Sequence, residues 1–188
     1  KYNKNKKGQC RKYVLKLVEN GEKLLNIAKG SAIIILQKTE MINMIKNEAK
    51  IKNPILDAVR EQLEHRALWL YYLTDEAKKK GLDPYDFAAD AIKRCGHFNG
   101  QNLVNKGKTD SLKGLKKTLF TLPAQMVFEM KIIDVKDDRF ELKFHYCPLV
   151  KAWQKAGCTD EEIRVLCDLA MCGDRGIGEK YGAVLDLP

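Results

Sequence analysis

Two capping residues, each followed by proline, constrain the middle of this chain to two helices. Asn53 and Asp83 each precede a proline. Their side chains accept hydrogen bonds from free amides at a helix start, and proline suits the first helical position because no donor is needed there. The first helix is predicted to end in lysines before Gly81, which suits the helix dipole and a left-handed stop. The second reaches at least Cys95, and we expect the two to form an antiparallel helical pair.

The hydrophobic period changes after a polar, basic stretch at residues 100–115, which we interpret as a loop or irregular connection. Residues 125–135 and 139–146 are rich in β-forming side chains and are separated by a short polar turn. They predict a β-hairpin over residues 125–146. Apolar and polar residues alternate along its second strand, which predicts one buried face and one face in water.

The segment after the hairpin is predicted to be helical again. Cys147 and the proline after it end the strand and begin a helix. Thr159 and Glu162 have the spacing of a capping box and begin another helix, which we expect Gly173 to end. The order of these elements predicts an α+β fold, in which amino-terminal helices pack on a small antiparallel sheet formed by residues 125–146 and short helices follow.

The amino-terminal end is strongly basic. Seven lysines and arginines precede the first acidic residue, Glu19, in a chain of 188 residues with a net charge of +9. We expect residues 1–12 to form a basic flexible arm and residues 13–188 a single α+β domain, with an amphipathic helix over residues 14–27. The arm holds one arginine and few aromatic residues. This is more typical of a solvated terminus than of the alternative, a segment that contacts nucleic acid.

Composition also bounds the location of the protein. No apolar run approaches the ~20 residues that a helix needs to cross a bilayer, and the lysine-rich start is unlike a secretory signal peptide. None of the six cysteines forms a tight C-x-x-C pair. Unpaired thiols are expected in a reducing cytosol. We therefore expect a cytoplasmic protein without a membrane span; no feature of the sequence indicates an oligomeric state.

The stretch from His145 to Asp174 holds four of the six cysteines and is where we expect the chemistry. Cys147 is predicted to lie at the cap position of a helix, where partial positive charge lowers the pKa of a thiol and favours the nucleophilic thiolate. His145 lies two residues earlier, on the same face of an extended strand, so the imidazole and the thiol would lie close together. The alternative is that Cys147 is a small buried cap residue and His145 a surface histidine.

A metal site is a second hypothesis for these cysteines. Cys167 and Cys172 are too far apart around one helix to bind a metal on one face, unless the helix ends between them as Gly173 suggests. Cys147, Cys167 and Cys172 would then hold zinc or an iron–sulfur cluster, with a fourth ligand from elsewhere. The spacing matches no common metal signature.

Three runs of residues and one glycine in the second half of the chain carry a resemblance to a known family. They are Phe144-His145-Tyr146-Cys147-Pro148-Leu149-Val150, Gly157, Leu166-Cys167-Asp168 and Gly173-Asp174-Arg175-Gly176. In this order they resemble the L-2-amino-thiazoline-4-carboxylic acid hydrolase family, and the resemblance covers roughly residues 53–182. Family members usually continue with a strand bearing Gly-Asp and a further cysteine, which the chain up to Pro188 does not show. Their fold is similar to the four-vinyl-reductase small-molecule-binding domains.

The resemblance implies a hydrolase of cysteine metabolism, which opens a 2-aminothiazoline ring to a carbamoyl-cysteine at a C–N or C–S bond of the cyclic amidine. Such a reaction needs a nucleophile, a group that transfers a proton and a cation that binds the substrate carboxylate. We assign the nucleophile to Cys147, proton transfer to Asp174 or His145, and carboxylate binding to Arg175 or Arg94. The candidate catalytic residues are Cys147, His145, Asp174 and Cys167, and the candidate substrate-binding residues are Arg175, Arg94 and His97.

Two other interpretations remain open, one for Arg94 and His97 and one for the whole domain. Arg94 and His97 lie near the end of the second long helix, where they either face a cleft or are ordinary solvated or capping residues. The whole domain could also bind a small molecule, a metal or an iron–sulfur cluster as a sensor without catalysis.

Overall fold

The structure is a computed structural model that describes residues 45–186. The expected basic arm at residues 1–12 and the amphipathic helix at residues 14–27 lie outside the described residues. Among the helices of residues 45–186, none is long and apolar enough to cross a membrane. The elements are α1 (Pro54–Lys79), α2 (Pro84–Gly107), α3 (Leu112–Thr118), α4 (Leu122–Val127), β1 (Met130–Val135), β2 (Phe140–Phe144), α5 (Pro148–Lys155) and α6 (Asp160–Glu179). The predicted α+β class is confirmed.

Both proline-led helices begin where the sequence predicts. The Asn53 side chain accepts hydrogen bonds from the amides of Ile55, at 2.9 Å, and Leu56, at 3.2 Å. The Asp83 side chain accepts one from the amide of Tyr85 at 2.8 Å. Gly81 follows α1 with a φ of 77°, so the predicted left-handed stop is confirmed as well.

The predicted connection at residues 100–115 is wrong. Helix α2 continues to Gly107, and α3 begins after Ser111, whose Oγ accepts a hydrogen bond from the amide of Gly114 at 3.1 Å. Gly100 does not end α2 because α6 packs against it. A Cβ at that position would lie 3.0 Å from the Cα of Ile177. The glycine therefore marks a close helix contact, and the polar side chains after it lie largely on the exposed side of α2.

The antiparallel hairpin is confirmed, but its first strand begins at Met130 rather than at residue 125. Residues 122–127 form α4, which has a proline in its first turn. Met130 pairs with Phe144 and Val135 with Phe140, and the register shifts between Ile132 and Asp134. A short apolar run fits a strand and a buried helix equally well, which explains the error.

The predicted division of β2 into a buried face and a wet face is wrong. All five residues of the strand are partly buried. Because α3 contacts β2 and α4 contacts β1, short helices cover parts of a sheet that has only two strands in the described region. Neither face of β2 is fully solvated.

The helices after the hairpin begin as predicted, but the last one is longer. In the capping box, the amide of Glu162 donates to Thr159 Oγ1 at 3.3 Å, and the amide of Thr159 donates to Glu162 Oε2 at 2.8 Å. Helix α6 does not end at Gly173. It spans 20 residues, to Glu179. The prediction of a stop at Gly173 is wrong because this glycine, like Gly100, lies at a helix contact.

The most extensive contact between helices joins α2 to α6, whereas α2 touches α1 much less. The two backbones meet at glycines. A Cβ on Gly96 would lie only 2.1 Å from the carbonyl oxygen of Gly173, and one on Gly176 would lie 2.4 Å from the carbonyl oxygen of Lys93. No side chain fits at these two positions.

The core beside this contact is built largely from α5 and α6. Its largest fully buried side chains are Trp153, Ile163, Leu169 and Pro148. The indole Nε1 of Trp153 donates a hydrogen bond to the carbonyl oxygen of Ala67 at 2.9 Å, so the one polar atom of this ring is satisfied against α1.

The α2–α6 contact predicts a position-specific effect of alanine. Gly96→Ala should lower the free energy of unfolding by about 1–3 kcal/mol, since the new methyl group must push two backbones apart. Gly173→Ala is the matched control. Its Cβ would meet Ile92 Cγ2 at 3.4 Å and the Ile92 carbonyl oxygen at 3.7 Å, which are ordinary contacts, and alanine favours a helix interior. Urea denaturation of both variants measures the difference, and equal losses would contradict the close-contact explanation.

Candidate functional site

Asp168 on α6 is the centre of a polar cluster between α2 and α6. Tyr85 Oη donates a hydrogen bond to Asp168 Oδ2 at 2.5 Å, and Arg175 Nη2 donates to Asp168 Oδ1 at 2.5 Å. Burial by itself would raise the pKa of Asp168, but the Tyr85 hydrogen bond and the Arg175 guanidinium hold that pKa below its ordinary value. Asp168 is therefore a carboxylate whose two oxygens are already engaged.

Arg175 is oriented by three contacts, all with its own helix. Besides the Asp168 carboxylate, its Nη1 reaches the carbonyl oxygen of Asp168 at 3.2 Å and the sulfur of Cys172 at 3.6 Å. Burial lowers the pKa of Arg175, but the hydrogen bond and charge of Asp168 outweigh burial and leave the pKa raised. Sequence reasoning named Arg175 but gave no role to Asp168 or Tyr85, which hold it in place.

Asp174 has the most perturbed carboxyl group of this region. Burial raises its pKa to about 6, against the opposing charges of Arg66 and then Arg175. The residue lies within α6 and is half-buried. Arg66 lies on the exposed side of α1 and was missed by sequence reasoning, since no local motif links it to residues more than a hundred positions away. The arrangement yields a carboxyl group that exchanges a proton near neutral pH.

Cys147 is the cap residue of α5, as predicted. Its backbone is held on both sides by the buried Asn47 side chain. The Cys147 amide donates to Asn47 Oδ1 at 2.8 Å, and Asn47 Nδ2 donates to the Cys147 carbonyl oxygen at 2.9 Å. The Cys147 side chain makes no capping hydrogen bond to the first turn of α5, and it is partly buried.

A buried ion pair lies beneath this position. Arg60, 3% exposed, donates to Glu129 Oε1 at 3.2 Å, and its guanidinium lies 4.8 Å from the ring centre of Tyr146. Burial, and next the charge of Glu64, raise the pKa of Tyr146 to about 12, although Arg60 opposes the shift. The phenol next to Cys147 is therefore neutral at ordinary pH.

His145 is exposed in the bend that follows β2. Because the strand ends at Phe144, the alternation that would place His145 and Cys147 on one face does not continue to these residues. The His145 backbone amide donates to the carbonyl oxygen of Glu129 at 3.1 Å, which anchors the main chain. His145 thus occupies the surface position that the alternative reading expected.

The three cysteines of the metal hypothesis are not brought together as a set. Cys167 is buried, and Cys172, partly buried, donates to the carbonyl oxygen of Asp168 at 3.6 Å. Both lie within the uninterrupted α6, so the predicted helix end between them is absent. Over residues 45–186, no three or more histidine, cysteine or acidic side chains are grouped to hold a metal ion.

The predicted substrate-binding residues of α2 have different surroundings. His97 Nε2 lies 2.6 Å from Glu179 Oε2, and Lys93 Nζ lies 2.6 Å from Glu179 Oε1. The hydrogen bonds of Lys93 and then His97 lower the pKa of the Glu179 carboxyl group. Arg94 is exposed. His97 therefore links α2 to the end of α6, away from the contacts made by Asp168.

Comparison with known proteins bears on this site. The model of the L-2-amino-thiazoline-4-carboxylic acid hydrolase family matches residues 60–187. The chain belongs to this family. Neither a curated protein nor a solved structure matches it. The span that matches the thiazoline-acid hydrolase family includes every candidate site residue named from the sequence, together with Arg66 and Asp168, but it begins after Asn47.

The raised pKa of Asp174 predicts how this hydrolase-family protein responds to pH. A carboxyl group whose pKa rises on folding stabilises the fold when protonated, and this contribution is lost as the pH increases through about 6. Asp174→Asn should therefore raise the free energy of unfolding at pH 8 by on the order of 1–3 kcal/mol. The gain should shrink towards pH 4.5.

Urea denaturation at both pH values measures this difference. The exposed Asp110, changed to asparagine, is the control and should show a similar effect at each pH. A larger loss of stability in Asp174→Asn at pH 8 than at pH 4.5 would mean that the charged carboxylate stabilises the fold.

Proposed function

We propose that this protein is a hydrolase that opens the ring of a 2-aminothiazoline-4-carboxylate to give a carbamoyl-cysteine. The observation that carries the proposal is Asp174, a half-buried carboxyl group with a pKa of about 6 that feels the guanidinium charges of Arg66 and Arg175. It lies inside the span that matches the hydrolase family. An acid or base is most effective when its pKa lies near the working pH.

The substrate of this reaction is an anion that also carries a basic amidine. Its carboxylate needs a cation, and the two guanidinium groups whose charges act on Asp174 supply it. Arg175 is oriented by Asp168, whereas Arg66 projects from the exposed side of α1. We assign carboxylate binding to this arginine pair, in preference to Arg94, because the charges of both act on the proposed proton-transfer group.

Cys147 is the proposed nucleophile. Its thiolate adds to the ring carbon between nitrogen and sulfur, and one ring bond from that carbon then breaks while Asp174 protonates the departing heteroatom. Water next adds to the same carbon and gives its proton to the Asp174 carboxylate, and the Cys147 thiolate leaves. One water is consumed, and a carbamoyl group replaces the amidine. Cys147 occupies the cap position of α5, whose first turn holds no acidic residue, so the partial positive charge of that helix end is not offset there.

The direct test is incubation of the protein with the thiazoline acid, followed by chromatography for a carbamoyl product. We expect turnover by the wild-type protein. Cys147→Ala should lose at least ~1000-fold in kcat, because no other group forms the covalent bond. Asp174→Asn should lose about 100–10,000-fold. Cys95→Ala, which changes an exposed thiol on α2, is the matched control and should keep the wild-type rate.

Each result contradicts a separate part of the proposal. Ring opening at the wild-type rate by Cys147→Ala would remove the nucleophile assignment while the reaction stands. Binding of the thiazoline acid without any product, with and without added metal, would favour a small-molecule-binding domain instead.

A further inference from the structure

We infer that Asn47 is a positioning residue that fixes the backbone of Cys147 and thereby aims its thiol. The inference rests on the nucleophile role proposed for Cys147. Asn47 lies a hundred positions before Cys147 and outside the family-matched span, which starts at residue 60. Its contribution is thus additional to the motifs that carry the family resemblance.

The two hydrogen bonds between these residues define one orientation of the Asn47 amide. Its oxygen accepts from the Cys147 amide at 2.8 Å, and its nitrogen donates to the Cys147 carbonyl oxygen at 2.9 Å. A flipped amide would set donor against donor and acceptor against acceptor. The side chain therefore pairs with the Cys147 backbone as a neighbouring β-strand would.

This pairing leaves the thiol little freedom. Cys147 has an extended backbone, with φ −135° and ψ 116°, and its carbonyl oxygen also accepts the first intrahelical bond of α5, from Lys151 at 3.1 Å. With the backbone held on both sides of the Cα, rotation about the Cα–Cβ bond is the main remaining motion.

Asn47 is itself held in place. It is 7% exposed, and the backbone that follows it is bound by the buried ion pair. Glu129 Oε1 accepts hydrogen bonds from the amides of Lys50, at 2.6 Å, and Ile51, at 2.8 Å, and Arg60 Nη1 donates to the Ile51 carbonyl oxygen at 2.7 Å. The segment is therefore a rigid support rather than a loose end.

Asn47→Asp tests the two hydrogen bonds one at a time, because the side-chain volume stays nearly constant. The carboxylate can still accept from the Cys147 amide, but it has no proton for the carbonyl oxygen and repels it. Asn47→Leu removes both bonds and keeps a similar size. The exposed Asn102 on α2, changed to aspartate, is the control for an added charge.

Two measurements test the inference. In hydrolysis of the thiazoline acid, we expect Asn47→Asp to lower kcat at least ~10-fold while KM stays within ~2-fold, because a small displacement of a nucleophile costs rate rather than substrate binding. In hydrogen–deuterium exchange of the protein alone, the Cys147 amide should exchange faster in Asn47→Leu, while the core amides of α6 stay protected. Asn102→Asp should change neither.

The outcomes separate this inference from the proposed function. If the wild-type protein does not turn over the thiazoline acid, the proposed function fails. Faster exchange of the Cys147 amide in Asn47→Leu would still support the inference that Asn47 holds the Cys147 backbone. Wild-type kcat in Asn47→Asp, or a KM that rises in step with the loss of kcat, overturns the positioning role. Unchanged exchange of the Cys147 amide in Asn47→Leu overturns the inference that Asn47 holds the Cys147 backbone. If the leucine variant does not fold, Asn47→Asp provides the same exchange measurement.

Discussion

The direct contact between the backbones of α2 and α6 is the constraint on which the candidate site depends. At Gly96 and Gly176 there is no room for a single extra carbon. The contacts advance along both helices in the same direction, from Tyr85 with Asp168 at one end to His97 with Glu179 at the other. At this separation a tyrosine and a histidine of α2 reach acidic side chains of α6, so the polar contacts lie along the same helix pair as the glycine contacts.

The buried pair of Arg60 and Glu129 organises the region around the hairpin and Cys147. Moving two charges out of water is costly, and such a pair is tolerable only when the remaining donors and acceptors are satisfied. Here Arg60 also binds the carbonyl oxygens of Val127 and Met126, at 3.0 and 3.3 Å. One guanidinium thus joins α1, the end of α4 and the approach to β1. This explains how a two-stranded hairpin, which is marginal alone, is held in place.

Local signals in the sequence were sufficient for the helix starts, because caps act within one turn. Asn53, Asp83 and the capping box at Thr159 all form the bonds that their types predict. The predicted ends of helices were wrong where contacts between distant parts of the chain determine how far a helix continues. Glycine weakens an isolated helix, yet Gly100 and Gly173 continue theirs because both lie where α2 packs on α6. A Cβ on Gly100 would lie 3.0 Å from the Cα of Ile177, and the carbonyl oxygen of Gly173 lies where a Cβ on Gly96 would fall. For the same reason the tertiary contacts of Arg60 and Asn47 gave no signal: Arg60 binds the carbonyl oxygen of Val127, 67 positions away, and Asn47 binds that of Cys147, 100 positions away.

The chemistry of Asp174 follows from this same departure from local expectation. Had α6 ended at Gly173, the next carboxyl group would lie in a solvated turn, where water stabilises its charge and keeps its pKa ordinary. Continuation of the helix instead carries Asp174 into a half-buried position beside Arg175, and burial outweighs two guanidinium charges. The glycines that bring α2 onto α6 therefore do more than fix the fold. The residue that sequence order marks as a loop acid thereby becomes a half-buried carboxyl group with a raised pKa.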